Sequence, residues 1–188
     1  MYETSDIRKN LKFQINGDPY IVVEFQFVKP GKGNAFTRTK IKNMITGAVL
    51  EKTYKSGEKL EPANIEERQM QYLYPEDDKY CFMDQTSFEQ VFIPSDVLGD
   101  DALLLPDNLE VSVLFFSERP VGVKLPTFVD LQVIKADPGV KGDTATGATK
   151  PATLSTGKVI NVPLFVNEEE WLKIDTRNGG EYVERVKK

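Results

Sequence analysis

Histidine is absent from all 188 residues. That excludes Ser-His-Asp and Cys-His catalysis, imidazole proton shuttling and every zinc site that needs a histidine. Cysteine is nearly absent as well. Cys81 stands alone, so neither an intramolecular disulfide nor an all-thiolate metal site can form, and a lone thiol fits a reducing cytoplasm. No apolar run approaches the roughly 18–20 residues that span a bilayer. The opening Met1-Tyr2-Glu3-Thr4-Ser5-Asp6 lacks the basic and apolar regions of a secretory signal. An enzyme made from this chain would have to work through carboxylates or lysines, and no paired-carboxylate constellation stands out. The expectation is a cytoplasmic protein that is not itself an enzyme, meets no membrane and carries no metal or cofactor.

The charge that is present is unevenly spread. Residues 1–64 hold eleven Lys and Arg against seven Asp and Glu, a net of +4. Residues 65–127 hold four against thirteen, a net of −9, and residues 128–188 hold nine of each. A basic, then acidic, then neutral chain argues for three modules with different neighbours. These bounds are the expected domains.

In the first module, Leu11, Phe13 and Ile15 alternate with polar residues, the period-two pattern of a half-buried strand. Asn16-Gly17 suits the positive φ angles of a hairpin turn. Residues 20–28 return, with Ile21, Val23, Phe25 and Phe27 expected on one face. Between this strand and the next lies Lys29-Pro30-Gly31-Lys32-Gly33-Asn34-Ala35. Pro30 fixes φ and pushes Lys29 to extended geometry, which ends the strand. Gly31 and Gly33 permit positive φ on either side of Lys32. The expected result is a hairpin tip with one ammonium at its apex. Beyond it, Thr37, Thr39 and Ile41 share one face of a strand and Arg38, Lys40 and Lys42 the other, a basic stripe running from the tip. With turns at Thr46-Gly47 and residues 55–58, the module reads as a small, bent barrel of five or six strands, SH3-like in size.

In the second module, Met70, Tyr72 and Tyr74 alternate, residues 75–79 form an acidic turn, and residues 80–83 return. Phe88, Gln90 and Phe92 suggest a further strand, residues 95–105 one or two helical turns, and Val111, Val113 and Phe115 another strand, with a turn at residues 118–120. Five strands interrupted by a short helix is the pattern of an OB-type barrel. The third module starts with a strand at 128–134. An irregular Gly/Thr/Pro-rich stretch over 137–156 follows, of a length that is usually functional or disordered. Strands at 159–166, 171–175 and 182–186 complete a second small barrel.

These residues together resemble the bacterial elongation factor P family along the whole chain. The resemblance is carried by residues 27–36, by Glu51-Lys52-Thr53-Tyr54-Lys55-Ser56-Gly57, by Phe88-Glu89-Gln90, and by Asp137-Pro138-Gly139 with Gly142-Asp143-Thr144. Lys150-Pro151-Ala152-Thr153 and Val162-Pro163-Leu164-Phe165-Val166 resemble the family's C-terminal signature. The family implies an all-β fold of three small barrels in series, one SH3-like (KOW-type) domain and two OB-like domains, in an L shape of tRNA-like dimensions. It implies a monomer that binds the ribosome beside the P-site peptidyl-tRNA and relieves stalling at consecutive prolines. Lys32 matches the tip lysine that reaches the CCA end and that a lysine-modifying enzyme extends in relatives, with Pro30, Gly31 and Gly33 as loop formers. Lys29, Arg38, Lys40 and Lys42 would meet RNA, and Gly142, Asp143 and Thr144 match the loop that approaches the E-site codon. One departure is Glu169, where the family signature expects glycine, so the hairpin there is expected to close by another turn type.

Two other classes remain compatible with the residues: a general RNA-binding module, since such barrels serve many RNA-binding proteins, and a ribosome-binding paralogue that is never modified. A phosphate-cradling nucleotide loop fits poorly, because no Gly-Lys-Ser/Thr follows the tip.

Overall fold

The computed structural model describes residues 1–139 and 147–188. The fold is all-β, with three sheets that follow one another along the chain. The first holds β1 (Tyr2–Glu3), β2 (Lys12–Ile15), β3 (Asp18–Val28), β4 (Phe36–Asn43), β5 (Val49–Lys55) and β6 (Lys59–Pro62), in the order β1-β6-β2-β3-β4-β5. Asn16 and Gly17 form the two-residue turn between β2 and β3, both with positive φ (53° and 86°), and Ile15 faces Asp18 across it. Phe13, Val22, Ile41, Tyr54 and Leu60 fill the core with Ile7 and Leu11. The β4–β5 turn is built by buried Asn43. Its Oδ1 accepts the Ile45 and Thr46 N–H groups, and its Nδ2 donates to Asp18 at 3.1 Å.

The expected single alternation along residues 20–28 is broken. Val22, not Ile21 or Val23, is fully buried, and the β3–β4 register slips between Val22 and Glu24. Three consecutive β-branched residues, Ile21-Val22-Val23, suit either phase, and a bulge here takes up one extra residue and re-aims the strand. Past the bulge, Phe25 and Phe27 stand opposite buried Thr39 and Thr37, yet are themselves 47% and 62% exposed.

The second sheet holds β7 (Ile65–Glu76), β8 (Lys79–Asp84), β9 (Gln90–Pro94), β10 (Glu110–Phe116) and β11 (Arg119–Lys124), in the order β11-β10-β7-β8-β9. The expected helical turns are present as α1 (Ser95–Leu98) continued by a 3-10 helix at Gly99–Leu104. Two turns are tighter or earlier than expected. Asp77-Asp78 alone reverses the chain, with Pro75 still paired to Tyr80, and Ser117-Glu118 makes the last hairpin with both φ values positive. Phe88 is not in a strand. Asp84 Oδ1 accepts the Thr86 and Ser87 N–H groups, and this side-chain-bonded turn leaves Phe88 at φ 61° and 69% exposed.

The third sheet holds β12 (Phe128–Ala136), β13 (Thr149–Leu154), β14 (Val159–Pro163), β15 (Trp171–Asp175) and β16 (Glu181–Val186), in the order β14-β13-β12-β15-β16. Strand β13 lies inside the stretch expected to be irregular. Its buried face is Lys150, Ala152 and Leu154, so a lysine and an alanine stand where an apolar alternation would have signalled it. Pro151 argued against a strand in sequence. It is tolerated because the β12 pairing reaches only Ala136–Ala152, and Pro151 pairs with Asn161 of β14. Leu104 packs into this core beside Leu131, Val162 and Ile174. Gly180 takes φ 102°, a backbone conformation that favours glycine, and a Cβ there would fall 3.0 Å from Leu104 Cδ2. Glu169 sits in its turn at φ 69°, the left-handed conformation that glycine adopts freely. By packing, the described chain divides into two units, Met1–Arg68 with Val113–Gly122 and Gln69–Ser112 with Val123–Lys188, a division that runs through the second sheet.

Two expected outcomes follow from buried or strained groups. Tyr54 is 4% exposed and its hydroxyl has no hydrogen-bond partner among the described residues. Burial, then Glu58 and Tyr20, push its phenol up to about 12, and burial first also pushes Tyr72 up to about 12. The folded state therefore keeps protons that the unfolded chain loses near pH ~10, so stability falls as pH rises from about 10 to about 12. Tyr54→Phe removes an unpaired buried hydroxyl and should raise stability by roughly 1 kcal/mol. Its alkaline loss should be shallower in denaturant melts at neutral pH and at about pH 11. Glu169→Gly relieves ~1–2 kcal/mol of left-handed strain against ~0.5–1 kcal/mol of added chain entropy. It should leave the melting temperature equal or higher, while Glu169→Val should lower it.

Candidate functional site

The β3–β4 ladder carries the candidate site outward. Its pairs run Phe25–Thr39, Gln26–Arg38, Phe27–Thr37 and Val28–Phe36, so both strands stay hydrogen-bonded up to the loop they support. Thr39 Oγ1 donates to the Lys52 carbonyl at 2.7 Å and ties β4 to β5. Lys32 sits exposed at the apex, and among the described residues no carboxylate lies within ion-pair distance of it. Of the two tip glycines, only Gly33 uses positive φ, at 109°; Gly31 does not, contrary to the symmetric loop expected. A Cβ on Gly31 would meet nothing within 4 Å, so the tip is surrounded by open space. Lys29 is exposed beside it.

The stripe on β4 is present and faces outward, while Thr37, Thr39 and Ile41 are buried behind it. Its charge is less uniform than the sequence suggests. Arg38 lies between Gln26 and Thr53, with its guanidinium 5.5 Å from the Phe36 ring centroid. Lys40 lies between Glu24 and Glu51, and its Nζ is 3.7 Å from Glu24 Oε1. Lys42 lies between Ile21 and Val49, with no carboxylate opposite. The strand order brings these acids to Lys40 from residues far away in sequence, which a one-strand reading could not foresee. The same face forms an open depression of about 420 Å³, lined by Glu24, Gln26, Arg38, Lys40, Glu51 and Thr53 among others.

Gly142, Asp143 and Thr144 lie outside the described residues. The chain leading to them is anchored. Buried Lys150 donates from Nζ to the Asp137 carbonyl at 2.6 Å. Gly139 lies so close to β14's end that a Cβ would fall 2.9 Å from the Leu164 carbonyl oxygen. The sequence signature includes Lys150, but nothing in it marks the residue as a buried strand position. Among the described residues, no group of His, Cys, Asp and Glu could hold a metal ion, and no helix is long and apolar enough to cross a membrane.

Three family models cover the chain in order: the elongation factor P KOW-like domain over residues 3–60, the elongation factor P OB domain over 65–123, and the elongation factor P C-terminal domain over 129–185. Elongation factor P of Syntrophus aciditrophicus is 56% identical over 187 residues, covering 100% of both chains. The chain belongs to the elongation factor P family. Elongation factor P of Bdellovibrio bacteriovorus is 54% identical over 186 residues, covering 99% of this chain and 98% of its own. The solved structure of eukaryotic translation initiation factor 5A from Methanococcus jannaschii matches with a TM-score of 0.50 at 23% identity. It covers 66% of this chain and 90% of its own, a likeness of fold. As an elongation factor P member, the chain is a translation elongation factor.

Gly31 and Gly139 should answer differently to a methyl group. Gly31→Ala has room and an ordinary φ, so chemical denaturation should shift by less than ~0.5 kcal/mol. Gly139→Ala drives Cβ into a backbone oxygen and should cost about 1–3 kcal/mol.

Proposed function

We propose that this elongation factor P binds the ribosome beside the P-site peptidyl-tRNA and promotes peptide-bond formation where consecutive prolines stall synthesis. The observation that carries this reading is Lys32: an exposed cation with no carboxylate partner among the described residues, in the loop of a hairpin that is paired up to Val28–Phe36. Proline is a poor nucleophile, and a polyproline peptide holds the peptidyl-tRNA in unproductive geometries. A cation delivered to the CCA end selects the productive one. The gain is one of positioning, because the ribosome supplies the chemistry and a fixed partner removes the entropy of misalignment. The factor itself makes and breaks no bond and needs no cofactor.

A lysine-modifying enzyme that extends Lys32 would suit this geometry, since a longer cation reaches farther from the same hairpin. Arg38, Lys42 and Lys29 then meet RNA phosphates, with Lys40 contributing less because Glu24 and Glu51 flank it. The Gly142-Asp143-Thr144 segment approaches the E-site codon, as the family resemblance implies. The factor works as a monomer in the cytoplasm, where ribosomes are.

Lys32→Ala tests this directly. Thermal unfolding should move by less than ~0.5 kcal/mol, as for other exposed loop substitutions. Relief of stalling on a polyproline reporter in a reconstituted translation assay should be lost. Normal reporter synthesis by the variant would overturn the role of Lys32.

A further inference from the structure

A second concavity, of about 360 Å³, lies on the first module away from the lysine tip, and the charged side chains that line it are all cationic. Arg8, Lys9 and Lys12 line it together with Tyr2, and no Asp or Glu does. It belongs to the module that carries +4 in a chain of net charge −5, and its lining differs from that of the depression at Lys40, where Glu24 and Glu51 take part. The segment that presents the cations is fixed by the backbone. Leu11 N–H donates to the Arg8 carbonyl (3.1 Å), Asn10 N–H to the Val22 carbonyl (2.9 Å), and Val22 N–H to the Leu11 carbonyl (2.9 Å). Asn10 completes that turn at φ 71°. Arg8 and Lys9 are exposed at its corner.

Strand register joins this pocket to the outer stripe. Lys12 of β2 pairs with Ile21 of β3, and Ile21 pairs with Lys42 of β4. Residues directly opposite in a sheet share a face, so Lys12 and Lys42 stand in one row, two strand spacings or about 10 Å apart. Lys42 and Arg38 are separated by four residues on one strand, roughly 13 Å. A line of cations therefore runs from Arg8 and Lys9 through Lys12 to Lys42, and on to Arg38. A single small anion cannot use a line of this length, whereas a nucleic-acid strand carries one charge per nucleotide along it.

We propose that Arg8, Lys9 and Lys12 form a binding site for the phosphodiester backbone of RNA, continuous with Lys42. This inference rests on the ribosomal reading above. It moves the main electrostatic contact of the module from Lys40 to the Lys42 end of the stripe and across the same face to β2. Each phosphate contact releases condensed counterions, so the site is read in the salt dependence of ribosome binding.

The test is a titration of the full chain against ribosomes across a salt series. Arg8→Gln with Lys9→Gln alters two exposed side chains and should flatten the plot of log affinity against log salt by roughly 0.7–0.9 units per contact, about 1.5 in all. Adding Lys12→Gln should flatten it further. Lys9→Arg with Lys12→Arg should keep the wild-type slope, and Lys40→Gln should change it least. An unchanged slope in the double and triple variants overturns the proposal. So does a result in which inorganic phosphate shifts the pocket's amide resonances while the variants keep the wild-type slope, which makes it a simple anion site. If the variants keep the slope and Lys32 still governs stalling relief, only this inference falls. If the wild-type chain does not bind ribosomes, the ribosomal reading falls with it.

Discussion

The pairing of β3 with β4 is the constraint on which the first module depends. It runs from Tyr20–Asn43 to Val28–Phe36 with one slip between Val22 and Glu24, and it ends where the loop that holds Lys32 begins. Near the core it buries Val22 against Ile41. Past the bulge it turns Phe25 and Phe27 to the side of buried Thr39 and Thr37 and leaves Glu24 and Gln26 outside. The same ladder decides which charges meet. Lys40 is held between two carboxylates, while Lys42 is held between Ile21 and Val49. Two lysines two residues apart on one strand thus have different electrostatic surroundings, set by their neighbours across the sheet.

Most of the fold was legible where local chemistry and tertiary structure agree. Asn16-Gly17 turned as such a pair should, and the alternation of Thr37, Thr39 and Ile41 against Arg38, Lys40 and Lys42 held along the strand. The failures each have a physical source. Strand β13 was hidden because its buried face contains Lys150, whose Nζ is satisfied by the Asp137 carbonyl, and because Pro151 sits where only one neighbour pairs. Phe88 was drawn into a strand by its spacing from Gln90 and Phe92, but Asp84 bonds the turn that excludes it. Glu169 shows the converse, since a non-glycine residue holds the left-handed position when the surrounding turn is fixed. There Glu169 N–H donates to the Val133 carbonyl and Asn167 N–H to Glu170 Oε2.

The candidate site was legible in part. Pro30 and its two glycines announce a hairpin tip at Lys32, but many solvated hairpins share such a run, and the role of the lysine was legible only through the family resemblance. Its neighbours across the sheet do not announce themselves. Glu24, Glu51 and Lys12 are distant from Lys40 and Lys42 in the chain, and only strand register brings them into the same rows. The count of charges in residues 1–64 could be read directly, yet which of them meet across the sheet depended on pairing.

The central claim is that Lys32 acts because a stiff hairpin places it at a set distance from the body of the protein. The most direct measurement lengthens that distance while keeping the residue. Duplicating Gln26-Phe27 and Thr37-Arg38 adds two pairs to the ladder, preserves the alternation of faces and moves the tip outward by about 7 Å. Rates of peptide-bond formation on proline-stalled ribosomes, measured at saturating factor, then report on placement alone. The account predicts a folded, ribosome-binding protein whose stimulation is lost. Undiminished stimulation by the lengthened hairpin would contradict it.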